Sequence, residues 1–166
     1  MRCACHYTQR HYAERPVVPV DPALFTVVVD AANVMGSRPD GWWRDRAGAA
    51  VRLHGQIAAL ADRGIDAGEL PPELNVCSES GLVYPVFVLV LEGRAREAAG
   101  RLDAPGPHVR VIIAPGSGDD TIMGEVDAAV SSGTPCLAVT ADRELQQRCV
   151  AAGGRVTGPR WLLHLL

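Results

Sequence analysis

The sequence contains no lysine; all 16 of its basic residues are arginine. That absence excludes chemistry built on a primary amine: the phosphate-gripping lysine of a P-loop, a Schiff base, a serine–lysine dyad. Long apolar runs are missing too. The longest, Pro85 to Leu91, is far shorter than the roughly 20 residues a membrane helix needs. The opening Met1-Arg2-Cys3-Ala4-Cys5-His6 has no apolar core of the kind a secretory signal carries, so the cytoplasm is the expected location. The cysteines, Cys3, Cys5, Cys77, Cys136 and Cys149, are odd in number and irregular in spacing, which argues against a disulfide framework. Cys136 and Cys149 read as small core residues. No Gly-x-Gly-x-x-Gly follows a predicted strand, which argues against dinucleotide binding. A net charge of −3 argues against broad electrostatic coating of nucleic acid, but not against a local site whose acids are offset by cations.

What is present is an ordinary globular composition on 166 residues, enough for one domain with a substantial core. Residues 1–24 stand apart. They carry Cys3, Cys5, His6 and His11, then a Pro/Val stretch from Pro16 to Pro22. Their spacing matches no standard zinc pattern, and the segment reads as a loose extension. Residues 25–166 form the predicted domain.

Its elements alternate. Thr26-Val27-Val28-Val29-Asp30 is a buried strand ending in an acid. Ala31 to Gly41 reads as a loop, and a helix follows over Arg44 to Arg63 with Gly64 as its stop. Asp66 to Tyr84 reads as a long irregular connection. A strand at Val86–Leu91 ends at Glu92, a short helix runs through Arg101, and His108–Ile113 is a third strand. Asp119 opens a helix to about Ser132, where a carboxylate caps the helix and meets the positive end of its dipole. Cys136–Thr140 is a fourth strand, Asp142 starts a helix to about Ala152, and Arg155–Thr157 is a fifth strand. Pro159 starts a last helix through Leu166. The fold class that follows is α/β: a single domain with a central, mostly parallel sheet of about five strands flanked by helices.

Asp30, Glu92, Asp119 and Asp142 each lie just past the end of a predicted strand. In a parallel sheet those ends share one edge, and open α/β sheets bind ligands outside it. Like charges a few ångströms apart repel, so such a cluster is either partly protonated or filled with cations. Carboxylate and water oxygens suit Mg²⁺ and Mn²⁺, which can activate a water and stabilise a phosphoryl oxygen. Taken singly, Asp119 and Asp142 also read as helix caps.

Four segments, in this order, resemble the NYN and PIN-like nucleases. Val29-Asp30-Ala31-Ala32-Asn33-Val34 is similar to their first-strand signature, an Asp followed three positions on by Asn. Leu91-Glu92-Gly93 resembles the second-strand ending, with Glu92 where the family usually has Asp. Ser117-Gly118-Asp119-Asp120-Thr121-Ile122 resembles the Ala-Asp-Asp-x-Ile element, and Val139-Thr140-Ala141-Asp142-Arg143-Glu144 the Val-Thr-x-Asp-Arg element. The resemblance is nearest to the bacterial YacP-like branch and runs from about Phe25 to the C-terminus. It implies a PIN-like fold and endonucleolytic cleavage of RNA with Mg²⁺ or Mn²⁺. By position, Asp30, Asp119 and Asp142 would hold the metal, and Asn33 would orient Asp30 or a water. Glu92 would be a further catalytic acid, Asp120 would act in place of Asp119 or as a second acid, and Thr140 would hydrogen-bond within the site.

Beside these, Arg143 reads as a phosphate contact or a surface ion pair. Arg38, Arg44 and Arg46 with Trp42 and Trp43 read as a base-stacking patch or as an anchor for the helix. Glu125 and Asp127 read as solvent-facing, and His54 and His108 as structural or surface residues. Three other functions stay open: a phosphatase, a nucleotide pyrophosphohydrolase, and an inactive RNA-binding PIN-like module. Ala32 breaks the Asp-x-Asp that a dehalogenase-type phosphatase needs, and the missing lysine counts against a receiver domain.

Overall fold

The computed structural model describes residues 25–74, 76, 78–102 and 108–166. The extension with Cys3, Cys5, His6 and His11, and also Cys77, lies outside the described residues. Five strands form one sheet: β1 (Thr26–Asp30), β4 (Val86–Leu91), β5 (Val109–Ile113), β6 (Cys136–Val139) and β7 (Arg155–Thr157). Their order is β5-β4-β1-β6-β7, and every pairing is parallel.

The strands are apolar along their length because both sheet faces are covered. Side chains alternate between the faces. Val27, Val29, Phe87, Leu89, Leu137 and Val139 point to one side. There they meet α1 (Ala31–Gly36), α2 (Arg46–Arg63) and α5 (Pro159–Leu165) through Val34, Leu53, Ile57 and Leu162. Val28, Val88, Val90 and Ala138 point to the other side, against Ile122 and Val126 of α3 (Gly118–Ser131) and Leu145 and Cys149 of α4 (Arg143–Ala151). Each fully buried Val, Leu or Ile contributes about 1.5–3 kcal/mol of transfer free energy, which fixes the strand register.

The segment expected to be a loop after β1 is the helix α1. Asp30 caps it by accepting from the Asn33 amide, and Ala31, Val34 and Met35 are buried. That i, i+3, i+4 spacing on one face explains a six-residue helix among apparent turn formers. Asp45, accepting from Gly48 N, caps α2, which therefore starts two residues later than expected. Gly64 ends it at φ 77°, a left-handed backbone that favours glycine. The connection after α2 is more ordered than its composition suggested. It holds a short antiparallel pair, β2 (Ile65–Asp66) with β3 (Leu82–Val83), and 3-10 turns at Ala67–Glu69 and Pro72–Leu74. Trp161 of α5 donates its indole N–H to the Glu69 carbonyl at 2.8 Å, pinning this connection to the C-terminal helix. Another 3-10 helix, Gly93–Arg101, leads from β4 toward β5.

β1 is the turning point of the topology. The chain moves outward from β1 to β4 and β5, then α3 returns it to β6 on the other side of β1. Such a reversal opens a crevice at the carboxyl ends of the two strands beside it, here β1 and β6. No helix among the described residues is long and apolar enough to cross a membrane.

Candidate metal centre at the sheet edge

Asp30 is the last residue of β1 and is buried, at 6% exposure. Its carboxylate accepts three hydrogen bonds. Asn33 gives two, from its backbone N at 3.0 Å and its Nδ2 at 2.6 Å. Thr140 Oγ1, just past β6 and fully buried, gives the third at 2.8 Å. The Asp-x-x-Asn spacing thus works because α1 begins on Asp30 and brings residue 33 back over it. Thr140 Oγ1 also accepts from Asp142 N at 3.1 Å, joining the β6 end to the start of α4.

Asp142 caps α4, accepting from the amides of Glu144 and Leu145 through one oxygen at 2.8 and 2.9 Å. Glu92, directly after β4, accepts from the Gly118 amide at 2.9 Å and so holds the start of α3. Asp119 was expected to cap α3. Instead Ser117 occupies the cap position without a side-chain cap bond, and Asp119 sits in the first turn. There burial, then the charges of Asp142, Asp30 and Glu92, raise its pKa, while Arg148 acts the other way. The four acids therefore lie along one edge of the sheet, and the other three act on Asp119.

They are not closed around a common point. Among the described residues, no three His, Cys, Asp or Glu side chains stand together as a metal-holding group. Asp30, Asp142 and Glu92 each accept from protein N–H or O–H donors. A carboxylate has about four acceptor sites, so each keeps capacity to spare. Every donor at this edge is an oxygen, which suits hard divalent cations such as Mg²⁺ or Mn²⁺ and fits neither a thiolate-rich zinc site nor an imidazole site.

The remaining candidates lie around this edge. Asp120 is exposed and pairs with Arg148 at 3.0 Å, an arginine that no motif singles out. Arg143 is exposed as the first residue of α4 and enters no ion pair among the described residues. Arg38 donates to Gln56 of α2 at 2.7 Å. Trp42 is half-buried against the core, whereas its neighbour Trp43 is 54% exposed. Glu125 is not simply solvent-facing: it pairs with Arg110 at 2.6 Å. Asp127 is exposed. His54 is buried within α2, and His108 is half-buried ahead of β5.

The parallel five-stranded sheet, flanked by helices and reversing at β1, is an α/β fold consistent with a single PIN-like domain. Two solved structures of Rae1 (YacP) from Bacillus subtilis share it. A mutant form matches with a TM-score of 0.58 and 17% identity, over 85% of this chain and 74% of that one. The second matches with a TM-score of 0.58 and 16% identity, over 84% of this chain and 71% of that one. The fold thus agrees with the YacP-like resemblance of the sequence motifs. No protein-family model and no curated protein matches the sequence.

Proposed function

We propose that this chain is a divalent-metal-dependent endoribonuclease, with Asp30, Asp119 and Asp142 holding Mg²⁺ or Mn²⁺. The observation that carries the reading is the placement of four acids at the carboxyl edge of one parallel sheet: Asp30 ends β1, Glu92 follows β4, Asp142 caps α4 after β6, and Asp119 lies in the first turn of α3. Burial, and then the charges of Asp142, Asp30 and Glu92, raise the pKa of Asp119, which agrees with a cation being favoured there. The ordered motifs and the shared fold support the same reading.

When bound, the cation supplies charge neutralisation for the phosphodiester and acidifies a water. The protein does the positioning. Asn33 and Thr140 fix both oxygens of Asp30 with three donors, so the buried acid keeps one orientation. Glu92 braces the first turn of α3 and thereby sets Asp119 at the edge. Asp120 keeps Arg148 beside the acids. Arg143, exposed at the mouth, receives a phosphate of the substrate.

The test is cleavage of a pool of single-stranded and structured RNA by wild type and Asp30→Asn, with Mg²⁺, Mn²⁺ or EDTA. Metal-dependent cleavage by wild type alone is the expected result. No cleavage under any metal would overturn the reading, and nucleotides and phosphomonoesters would be the next substrates.

A further inference from the structure

We propose that the loop between α1 and α2 is a stacking platform for an unpaired RNA base, with Trp43 as the stacking ring and Arg44 and Arg46 as phosphate contacts. It names the substrate class of the proposed nuclease and rests on that reading for its role.

The adjacent tryptophans have opposite fates. Trp42 packs against the main core, and Arg46 Cζ lies 5.3 Å from its ring centroid. Trp43 meets Trp42 edge-on, with centroids 6.4 Å apart and planes at 88°. Trp43 is 54% exposed and is the only exposed aromatic among the described residues. A core anchor would be buried; this ring offers its surface to solvent. Arg44 Cζ stands 5.9 Å from its centroid, close enough for a cation–π contact.

The loop is held by its own hydrogen bonds. Gly41 takes φ 77°, and its carbonyl accepts from Arg44 N at 3.0 Å. Both local acids are engaged with backbone: Asp40 accepts from Trp42 N and Asp45 from Gly48 N. Arg38 is held by Gln56, leaving Arg44 against the Trp43 ring and Arg46, the first residue of α2, against the Trp42 ring as the exposed charges. Phosphates complement that charge, and an unstacked base complements the ring. In a duplex the base faces are already occupied, so the platform selects an unpaired strand. α1, six residues and about 9 Å long, leads from Asp30 to Gly36, where a Cβ would stand 3.7 Å from Trp42 Cζ2.

The test measures binding of a labelled unpaired RNA oligonucleotide, and of a duplex of the same sequence, in the Asp30→Asn background with Mg²⁺. Adding Trp43→Ala should weaken unpaired binding roughly tenfold and leave duplex binding nearly unchanged; Trp43→Phe should retain most of it. Oligonucleotide should quench tryptophan fluorescence, and Trp43→Phe should lose most of that quench. Unchanged unpaired binding in Trp43→Ala, equal losses on both RNAs, or no RNA binding at all would overturn the platform. Cleavage by wild type is scored separately. Metal-dependent cleavage with no effect of Trp43→Ala sinks the platform alone. Absence of cleavage with the tenfold loss intact sinks the nuclease alone.

Discussion

Thr140 donates its hydroxyl to Asp30 at 2.8 Å inside the protein, joining residues 110 positions apart at the ends of adjacent strands. The bond spans the two strand ends where the topology reverses, and the same hydroxyl accepts from Asp142 N. Thr140→Val keeps the shape and removes the donor. A buried acid then lacks one of its three partners, which costs about 1–3 kcal/mol. Urea denaturation should show that loss, and Thr140→Ser should recover most of it. A Thr140→Val protein as stable as wild type would mean that the bond contributes nothing.

Asp30→Asn tests the chemistry. The amide nearly matches the carboxylate in size, so the sheet and both cores should persist in circular dichroism. The charge is lost, and one of its two oxygens becomes a donor facing Asn33 or Thr140. Cleavage should fall at least a hundredfold while the fold survives. Normal turnover by this variant would remove Asp30 from the site.

Much of this was legible in the residues, for identifiable reasons. Val86–Leu91 reads as a doubly buried strand because no polar residue interrupts it, and Asp30 and Glu92 mark the ends of their strands unambiguously. α1 was missed because its cap is the last residue of the preceding strand and Asn33 looks like a turn former. β2 and β3 are two residues each, too short to show a period. The pairing of Arg148 with Asp120 depends on how α3 packs on α4, which no local pattern encodes. Trp42 and Trp43 are neighbours in sequence, and which one faces the core depends on tertiary packing that no local pattern encodes.

Asp119 links the site to pH. Burial first, then Asp142, Asp30 and Glu92, hold its pKa above the ordinary 3.8. A carboxyl with a raised folded pKa contributes stability below its unfolded pKa and loses it as pH rises through the folded one. Asp119→Asn stays neutral, so in EDTA it should be more stable than wild type at pH 7. The group is only half-buried, so solvent screening keeps the gain below about 1 kcal/mol, a few degrees of Tm at most. The difference should vanish below about pH 4. Mg²⁺ should narrow it by stabilising wild type. A gain independent of pH would show that repulsion is not its cause.

Cys136 and Cys149 give a check on the second core. Burial pushes the Cys136 thiol up to about 12 and also raises Cys149. The thiolate is the reactive form, so both should resist iodoacetamide in native protein at pH 8. Peptide mass mapping should find them labelled only after guanidinium unfolding. Rapid native labelling of Cys136 would mean that β6 opens readily.

Gly118 opens α3 directly against Glu92. A Cβ at this position would stand 2.6 Å from Glu92 Oε2 and 2.9 Å from its Cδ. The obstruction is the far end of a flexible side chain, so Gly118→Ala should fold with little change in Tm and turn the Glu92 carboxylate away. If Glu92 acts by bracing α3, cleavage should then fall roughly tenfold, as it does when a supporting partner of a metal ligand is lost. Glu92→Gln keeps an oxygen for the Gly118 amide and removes only the charge, so it should retain most activity. The opposite pattern, an active Gly118→Ala and an inactive Glu92→Gln, would make the Glu92 charge itself part of the site. The pair of substitutions therefore separates what the extra methylene of Glu92 does: reach the helix, or reach the metal.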